Sequence, residues 1–96
     1  MDVKRRKCNV VMLSQHAVGR AYERLPGIKL QRIRSAVRHA LADSLCKGAK
    51  VDWDGAVHVE MTNLEAFAVC HPMLFGGWAV RTIYLEGEEY EEEESQ

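Results

Sequence analysis

The chain has 96 residues, which is the size of one domain. Hydrophobic residues make up 47% and charged residues 28% of it, a composition that is typical of globular proteins and excludes wholesale disorder. The net charge of −1 conceals a division, because residues 1–50 hold 12 Lys and Arg against 3 Asp and Glu, whereas residues 51–96 hold 1 against 11. This division favours an anionic partner for the basic half.

Targeting signals and cysteine clusters are missing from the sequence. The longest apolar runs, such as Val10–Leu13, fall far short of the roughly 20 residues that cross a bilayer. The basic cluster Lys4–Lys7 is not followed by the apolar region of a secretory signal. Cys8, Cys46 and Cys70 are an odd number of cysteines with no close spacing, which suggests neither a disulfide framework nor a zinc knuckle. We therefore predict a cytoplasmic protein with no membrane partner, no metal and no cofactor.

The first half of the chain predicts one short strand and two helices. The apolar run Cys8–Leu13 predicts a buried strand, and Ser14 then caps a helix that runs from Gln15 to Leu25. A second helix is predicted over Lys29–Cys46, where apolar residues recur every three or four positions. That apolar stripe consists of Leu30, Ile33, Val37, Leu41 and Leu45.

Beyond Gly48 the apolar period changes to two, which predicts strands. Turns at Asp54-Gly55 and Thr62-Asn63 separate them. The predicted strands are Lys50–Trp53, Ala56–Met61, Glu65–His71 and Trp78–Leu85. The sequence thus predicts an α+β fold of two N-terminal helices on an antiparallel sheet of three to four strands, in a two-layer domain over residues 8–86. Residues 1–7 form a basic arm, and residues 87–96 form an acidic tail that is predicted to be disordered.

The first predicted helix carries a familiar pattern. Residues 14–24 read Ser-Gln-His-Ala-Val-Gly-Arg-Ala-Tyr-Glu-Arg. The segment resembles the opening helix of a family of small bacterial and phage domains, which begin with Ser-x-His-Ala-x-x-Arg-x-x-x-Arg and are considered relatives of the RelE and ParE toxins, with a barnase-like fold. The resemblance implies a domain that binds or cleaves RNA. His16, Arg20 and Arg24 match the motif, and Arg81 and Tyr84 correspond to basic or aromatic residues on the family's last strands.

The spacing of the motif residues supports a phosphate site. His16, Arg20 and Arg24 recur at every fourth position and therefore form one polar ridge on the helix. Arginine binds phosphate bidentately, and histidine transfers protons near neutral pH, as metal-free RNA cleavage requires. With Arg81, these three residues are the predicted catalytic set. The alternative is a solvated helix face on which Glu23 pairs weakly with the arginines, each pair contributing about 0.2–0.5 kcal/mol.

Two further predictions concern the surface. The basic residues predicted to bind nucleic acid lie on the arm and the second helix, and they are Arg5, Arg6, Arg32, Arg34 and Arg38. Because His58 alternates with Val57 and Val59, it is predicted to lie with Glu60 on the exposed face of the sheet. On the next strand, Phe67, Val69 and His71 are predicted to share a face.

Two functions follow, and the sequence does not decide whether the protein is an enzyme. The first is a small RNA-associated RelE-like domain, an endoribonuclease or toxin-like effector that acts on RNA or another polyanion in the bacterial cytoplasm. The alternative is a non-enzymatic phage accessory protein that binds and inhibits a nucleic-acid-processing protein of the host. A symmetric dimer could form by pairing of an edge strand. The acidic tail could cover the basic helices, mimic a phosphate backbone for a protein partner, or only keep the domain in solution.

Overall fold

A computed structural model of the chain describes residues 10–46, 55–74 and 76–88. The elements are β1 (Val11–Leu13), α1 (Gln15–Arg24), α2 (Leu30–Cys46), β2 (Val57–Met61), β3 (Ala66–Pro72) and β4 (Trp78–Leu85). Both helices and strands β2, β3 and β4 lie where the apolar periodicity predicts them. The α+β prediction is therefore confirmed.

Three predicted features lie outside the described residues. They are the basic arm of residues 1–7, the strand Lys50–Trp53 and the acidic tail beyond Glu88. Within the described ranges, neither helix has the length and apolar character that crossing a membrane requires.

The sheet has the strand order β1-β4-β3-β2 and is mixed. Strands β2, β3 and β4 pair antiparallel, but β1 runs parallel to β4, with Val11 opposite Trp78 and Leu13 opposite Val80. The prediction of an antiparallel sheet is therefore wrong for β1. Short turns join β2 to β3 and β3 to β4, which forces those pairs to be antiparallel, whereas β1 is separated from β4 by both helices and two strands. No hairpin turn sets its direction.

Helix α1 begins at a side-chain cap. The Ser14 hydroxyl accepts a hydrogen bond from the Ala17 N–H at 3.0 Å, as the sequence predicts. Ala17 and Ala21 are the buried residues of α1, and the helix packs on β4. Their small side chains allow the helix backbone to lie close to the sheet. At the other end, the Leu25 N–H donates to the Ala21 carbonyl at 2.8 Å.

Helix α2 packs its predicted apolar stripe against β2 and β1. Ile33, Val37, Leu41 and Leu45 are buried and Leu30 is partly buried. Burial of one such side chain stabilises the fold by about 1.5–3 kcal/mol. The sheet residues that complete this core include Val57, Val59, Met61, Ala66, Ala68, Cys70, Trp78, Val80 and Ile83. Both helices thus cover the same face of the sheet.

A β-bulge interrupts the pairing of β3 with β4. Val69 lies opposite Thr82 and Cys70 lies opposite Val80, so Arg81 is an extra residue with no partner on β3. Trp78 and Val80 belong to the core before the bulge, and Ile83 belongs to it afterwards. Because the alternation shifts by one residue, Thr82 and Tyr84 lie on the face of the sheet that the helices leave open.

Candidate functional site

The first two residues of the predicted ridge on α1, His16 and Arg20, differ in their surroundings. His16 is exposed in the first turn. The Arg20 Nη1 lies 2.9 Å from the Glu23 Oε2, and the Arg20 side chain is 26% exposed to solvent. The Glu23 pairing that the sequence left open as the alternative is therefore present at Arg20.

Arg24 connects α1 to the end of β4. Its Nη1 donates to the Ile83 carbonyl at 2.9 Å, and its Nε lies 3.2 Å from the Glu88 Oε1. The same carboxylate oxygen accepts from the Leu85 N–H at 3.0 Å. Arg24 therefore fixes the chain at the end of β4. Its guanidinium is engaged in these structural contacts, whereas the predicted polar ridge requires it to bind phosphate.

The bulge residue Arg81 lies at the start of α1. The Ser14 hydroxyl donates to the Arg81 carbonyl at 3.1 Å, and the Ser14 N–H donates to the Val80 carbonyl at 3.1 Å. The structure thus brings Arg81 next to the helix turn that carries His16. Bulges commonly re-aim a side chain beside a functional site, and Arg81 is half-buried here.

The basic residues predicted to bind nucleic acid are divided between described and undescribed parts of the chain. Arg32, Arg34 and Arg38 are all exposed on α2. No ion pair engages these three side chains within residues 10–46, 55–74 and 76–88. Arg5 and Arg6 lie outside those ranges. The exposed arginines of α2 are consistent with a positively charged surface on the helical layer.

The open face of the sheet carries a cluster that the sequence analysis did not assemble. Phe67 of β3 lies directly opposite Tyr84 of β4, and their rings stack with centroids 5.1 Å apart and an interplanar angle of 8°. His58 of β2 lies edge-on to Tyr84, with centroids 6.0 Å apart. The His58 Nδ1 is 3.1 Å from the Tyr84 hydroxyl oxygen. Together these half-buried rings, the sheet-face cluster, cross three strands.

Thr82 adds an unsatisfied hydroxyl to this face. It lies two residues before Tyr84 on β4 and is only 4% exposed. Its Oγ1 has no hydrogen-bond partner among the described residues. A buried polar group in this state costs about 1–3 kcal/mol of stability. Because the oxygen atom is itself buried, a ligand on the face of the sheet does not reach it.

Part of the cluster could be read from the sequence. The position of His58 on the face of β2 opposite the core was predicted and is confirmed, because Val57 and Val59 are buried on the other face. Tyr84 was singled out by the family resemblance, and Phe67 was placed on an alternating strand. What joins the three residues is the register of β3 against β4, which the bulge at Arg81 sets and which no local pattern indicates.

Metal chemistry finds no support in the described part of the chain, where no three His, Cys, Asp or Glu side chains are placed to hold an ion. Comparisons with protein families, curated proteins and solved structures found no match to this chain.

Proposed function

We propose that this chain is a small RNA-binding domain of the RelE-like type, which binds single-stranded RNA on the open face of its sheet. The observation that carries the proposal is the sheet-face cluster, in which Phe67 and Tyr84 stack and His58 contacts the Tyr84 hydroxyl. Aromatic residues on the open face of a β-sheet are a recurring platform for nucleobases. Stacking of one base on such a ring contributes about 1–3 kcal/mol.

The polar groups beside the rings support a ligand rather than a purely structural pair. A cross-strand aromatic pair by itself stabilises a sheet by about 0.2–1 kcal/mol. The polar atoms of His58 and Tyr84 beside the stacked rings can in addition bond a base edge or a ribose 2′-hydroxyl.

Arg81, which precedes Thr82 on β4, would hold a phosphate of the same strand. Arg32, Arg34 and Arg38 are exposed on α2, which covers the other face of the sheet, so they would hold phosphates only of a longer RNA that wraps around the domain. Single-stranded RNA that contacts them releases counterions, so its affinity should fall as the salt concentration rises, by about 0.7 logarithmic units per phosphate for each tenfold increase.

Fluorescence anisotropy tests the proposal directly. The full chain is titrated into a labelled single-stranded RNA at several salt concentrations, with a duplex of the same length as the control. We expect tighter binding of the single strand and a linear decrease of log K with log salt. We also expect the slope to become shallower in Arg81→Gln. Equal binding of the duplex, or no binding at low salt, would rule the proposal out.

The contact between His58 and Tyr84 favours a second candidate function, an endoribonuclease. In metal-free cleavage a base takes the proton of the 2′-hydroxyl, the 2′-oxygen attacks phosphorus and the bond to the 5′-oxygen breaks. The leaving oxygen then takes a proton from an acid. An imidazole and a phenol in contact on the RNA-binding face are two groups able to carry such protons.

The cleavage hypothesis is tested in a metal-chelating buffer with a 5′-labelled RNA. Products ending in a 2′,3′-cyclic phosphate are expected, and both His58→Gln and Tyr84→Phe should reduce the cleavage rate while RNA remains bound. His16→Ala is the matched comparison on α1. Cleavage that depends on His16 but survives both sheet variants would place the chemistry on the helix instead.

A further inference from the structure

An open groove lies between α2 and the turn that joins β2 to β3, and its volume is about 440 Å³. The residues that line it include Lys29, Arg32, Ala36, His39, Thr62 and Leu64. We call this feature the α2 groove. Its volume falls in the range of about 300–1,000 Å³ that is usual for small-molecule sites. Because α2 covers the core face of the sheet, the α2 groove is separate from the sheet-face cluster.

The helix wall of the α2 groove carries its permanent positive charge at one end. Residues 29, 32, 36 and 39 are spaced by three, four and three positions, so they follow one face of the helix. The Ile33 N–H donates to the Lys29 carbonyl at 3.1 Å, which places Lys29 with Arg32 in the first turn. Ala36 and His39 follow, and the whole line is about 15 Å long at the rise of an α-helix. The two permanent cations therefore lie where α2 begins.

These two cations are not neutralised within the part of the chain that the structure describes. Lys29 and Arg32 are exposed, and neither forms an ion pair with another described residue. No aspartate or glutamate is among the described residues that line the groove. Two neighbouring cations without a carboxylate favour an anion, and the oxygens of one phosphate group can accept from both side chains.

The remainder of the lining distinguishes between kinds of anionic ligand. Of the described lining residues, only Ala36 and Leu64 are apolar, and both are half-buried and pack against the core. Two such side chains cannot cover the chain of a lipid, but they can contact one planar ring. Thr62 and His39 are exposed, and each can donate or accept a hydrogen bond. The complementary ligand has a phosphate at one end and a ring with polar edges at the other.

We propose that the α2 groove binds a free nucleoside monophosphate. The phosphate pairs with Lys29 and Arg32, the base packs on Leu64, and His39 bonds the edge of the base. An acidic peptide matches the groove less well, because its charges are spread along its length whereas the two permanent cations lie together at one end. Inorganic phosphate alone leaves the apolar part of the groove uncovered. The site does not require RNA to bind on the sheet.

NMR titration of the full chain tests the site, with AMP and UMP as the probes. We expect backbone amide shifts to change at residues 29–39 and 62–64, and to stay constant at His58, Phe67 and Tyr84. Ribose 5-phosphate, which lacks a base, and inorganic phosphate should bind several times more weakly than AMP. Changes confined to the sheet-face cluster would overturn this proposal while leaving the proposed function intact. Equal affinity for inorganic phosphate or for a tetraglutamate peptide would overturn it as well, because the groove would then not recognise a nucleotide.

Two double variants with the same change in net charge test the role of the cations. Lys29→Gln with Arg32→Gln removes both cations from the groove, whereas Arg34→Gln with Arg38→Gln removes two exposed charges of α2 that do not line it. We expect the first pair to weaken AMP binding by roughly 10-fold or more, and the second by less than about twofold. Because all four side chains are exposed, both proteins should remain folded by circular dichroism. Equal weakening would overturn the proposal, since overall charge would then attract the nucleotide.

Discussion

The Ser14 hydroxyl joins the start of α1 to the backbone of Arg81. It accepts from the Ala17 N–H at 3.0 Å and donates to the Arg81 carbonyl at 3.1 Å. A bulge disrupts the ladder around its extra residue, and Ser14 supplies a partner to one of the affected groups. This hydroxyl therefore links the helix that carries His16, Arg20 and Arg24 to the strand that carries Tyr84.

The first prediction concerns this hydroxyl. Ser14→Ala removes both hydrogen bonds and should lower the free energy of unfolding by about 1–2 kcal/mol, as for other lost helix caps. Ser14→Asp retains the cap acceptor but cannot donate to the Arg81 carbonyl when ionised, so its loss should be smaller but measurable. Urea denaturation of the three proteins provides the comparison. An alanine variant as stable as the original would show that the contact contributes nothing.

A second prediction concerns Gly77, which precedes β4. A Cβ added there would lie 2.8 Å from both the Cβ and the carbonyl oxygen of Val10, and its φ is +78°. That oxygen also accepts from the Trp78 N–H at 2.8 Å, so the backbone cannot move away without losing this bond. Gly77→Ala should therefore destabilise the fold by more than about 1 kcal/mol.

Gly19 is the matched control for Gly77. It is exposed within α1, and a Cβ there would have no atom within 4 Å outside the helix's own nearby backbone. Gly19→Ala should raise the free energy of unfolding by about 0.5–1 kcal/mol. Thermal unfolding of both variants gives the comparison, and equal midpoints would refute the packing of Gly77 on Val10.

The third prediction separates stability from binding at Thr82. Thr82→Val preserves the shape of the side chain and removes the hydroxyl that has no partner among the described residues, so stability should rise by about 1 kcal/mol. Because the hydroxyl is buried, the affinity for single-stranded RNA should not change in the same variant. Thr62→Val, in the exposed turn after β2, should change stability by less than about 0.5 kcal/mol and leave affinity unaltered. A lower stability of Thr82→Val would show that the hydroxyl has a partner in the folded protein.

The fourth prediction assigns the role of Arg24. Arg24→Ala leaves the Ile83 carbonyl without its donor and should cost about 1–3 kcal/mol. Glu88→Gln weakens only a part-exposed ion pair and should cost less than about 1 kcal/mol. Arg34→Ala, at an exposed position on α2, is the control and should be nearly neutral. Equal effects of all three substitutions would contradict a structural role for Arg24.

The features that could be predicted from the sequence are those that depend on neighbouring residues. The α2 stripe, the Ser14 cap and the bounds of β4 are confirmed, because each depends on residues within a few positions of one another. The direction of β1 was predicted wrongly. It depends on which edge of the sheet the strand joins after two helices, and three residues contain no signal for that choice.

The candidate site shows the same limit. Spacing placed His16, Arg20 and Arg24 on one ridge, but it could not reveal that Arg24 is bonded to the end of β4, which lies 59 residues away at Ile83. The contact between Phe67 and Tyr84 depends on strand register, and the bulge at Arg81 shifts that register by one residue. Contacts between elements require the tertiary structure.

The most direct test of the account is the affinity for single-stranded RNA of Tyr84→Leu measured against Tyr22→Leu. Both substitutions remove an aromatic ring, but Tyr84 lies in the sheet-face cluster, whereas Tyr22 is 67% exposed on α1. A lost base stack of about 1–3 kcal/mol predicts roughly 5- to 150-fold weaker binding for Tyr84→Leu and unchanged binding for Tyr22→Leu, with both proteins folded by circular dichroism. Equal affinities of the two variants would contradict the proposal that this face of the sheet binds RNA.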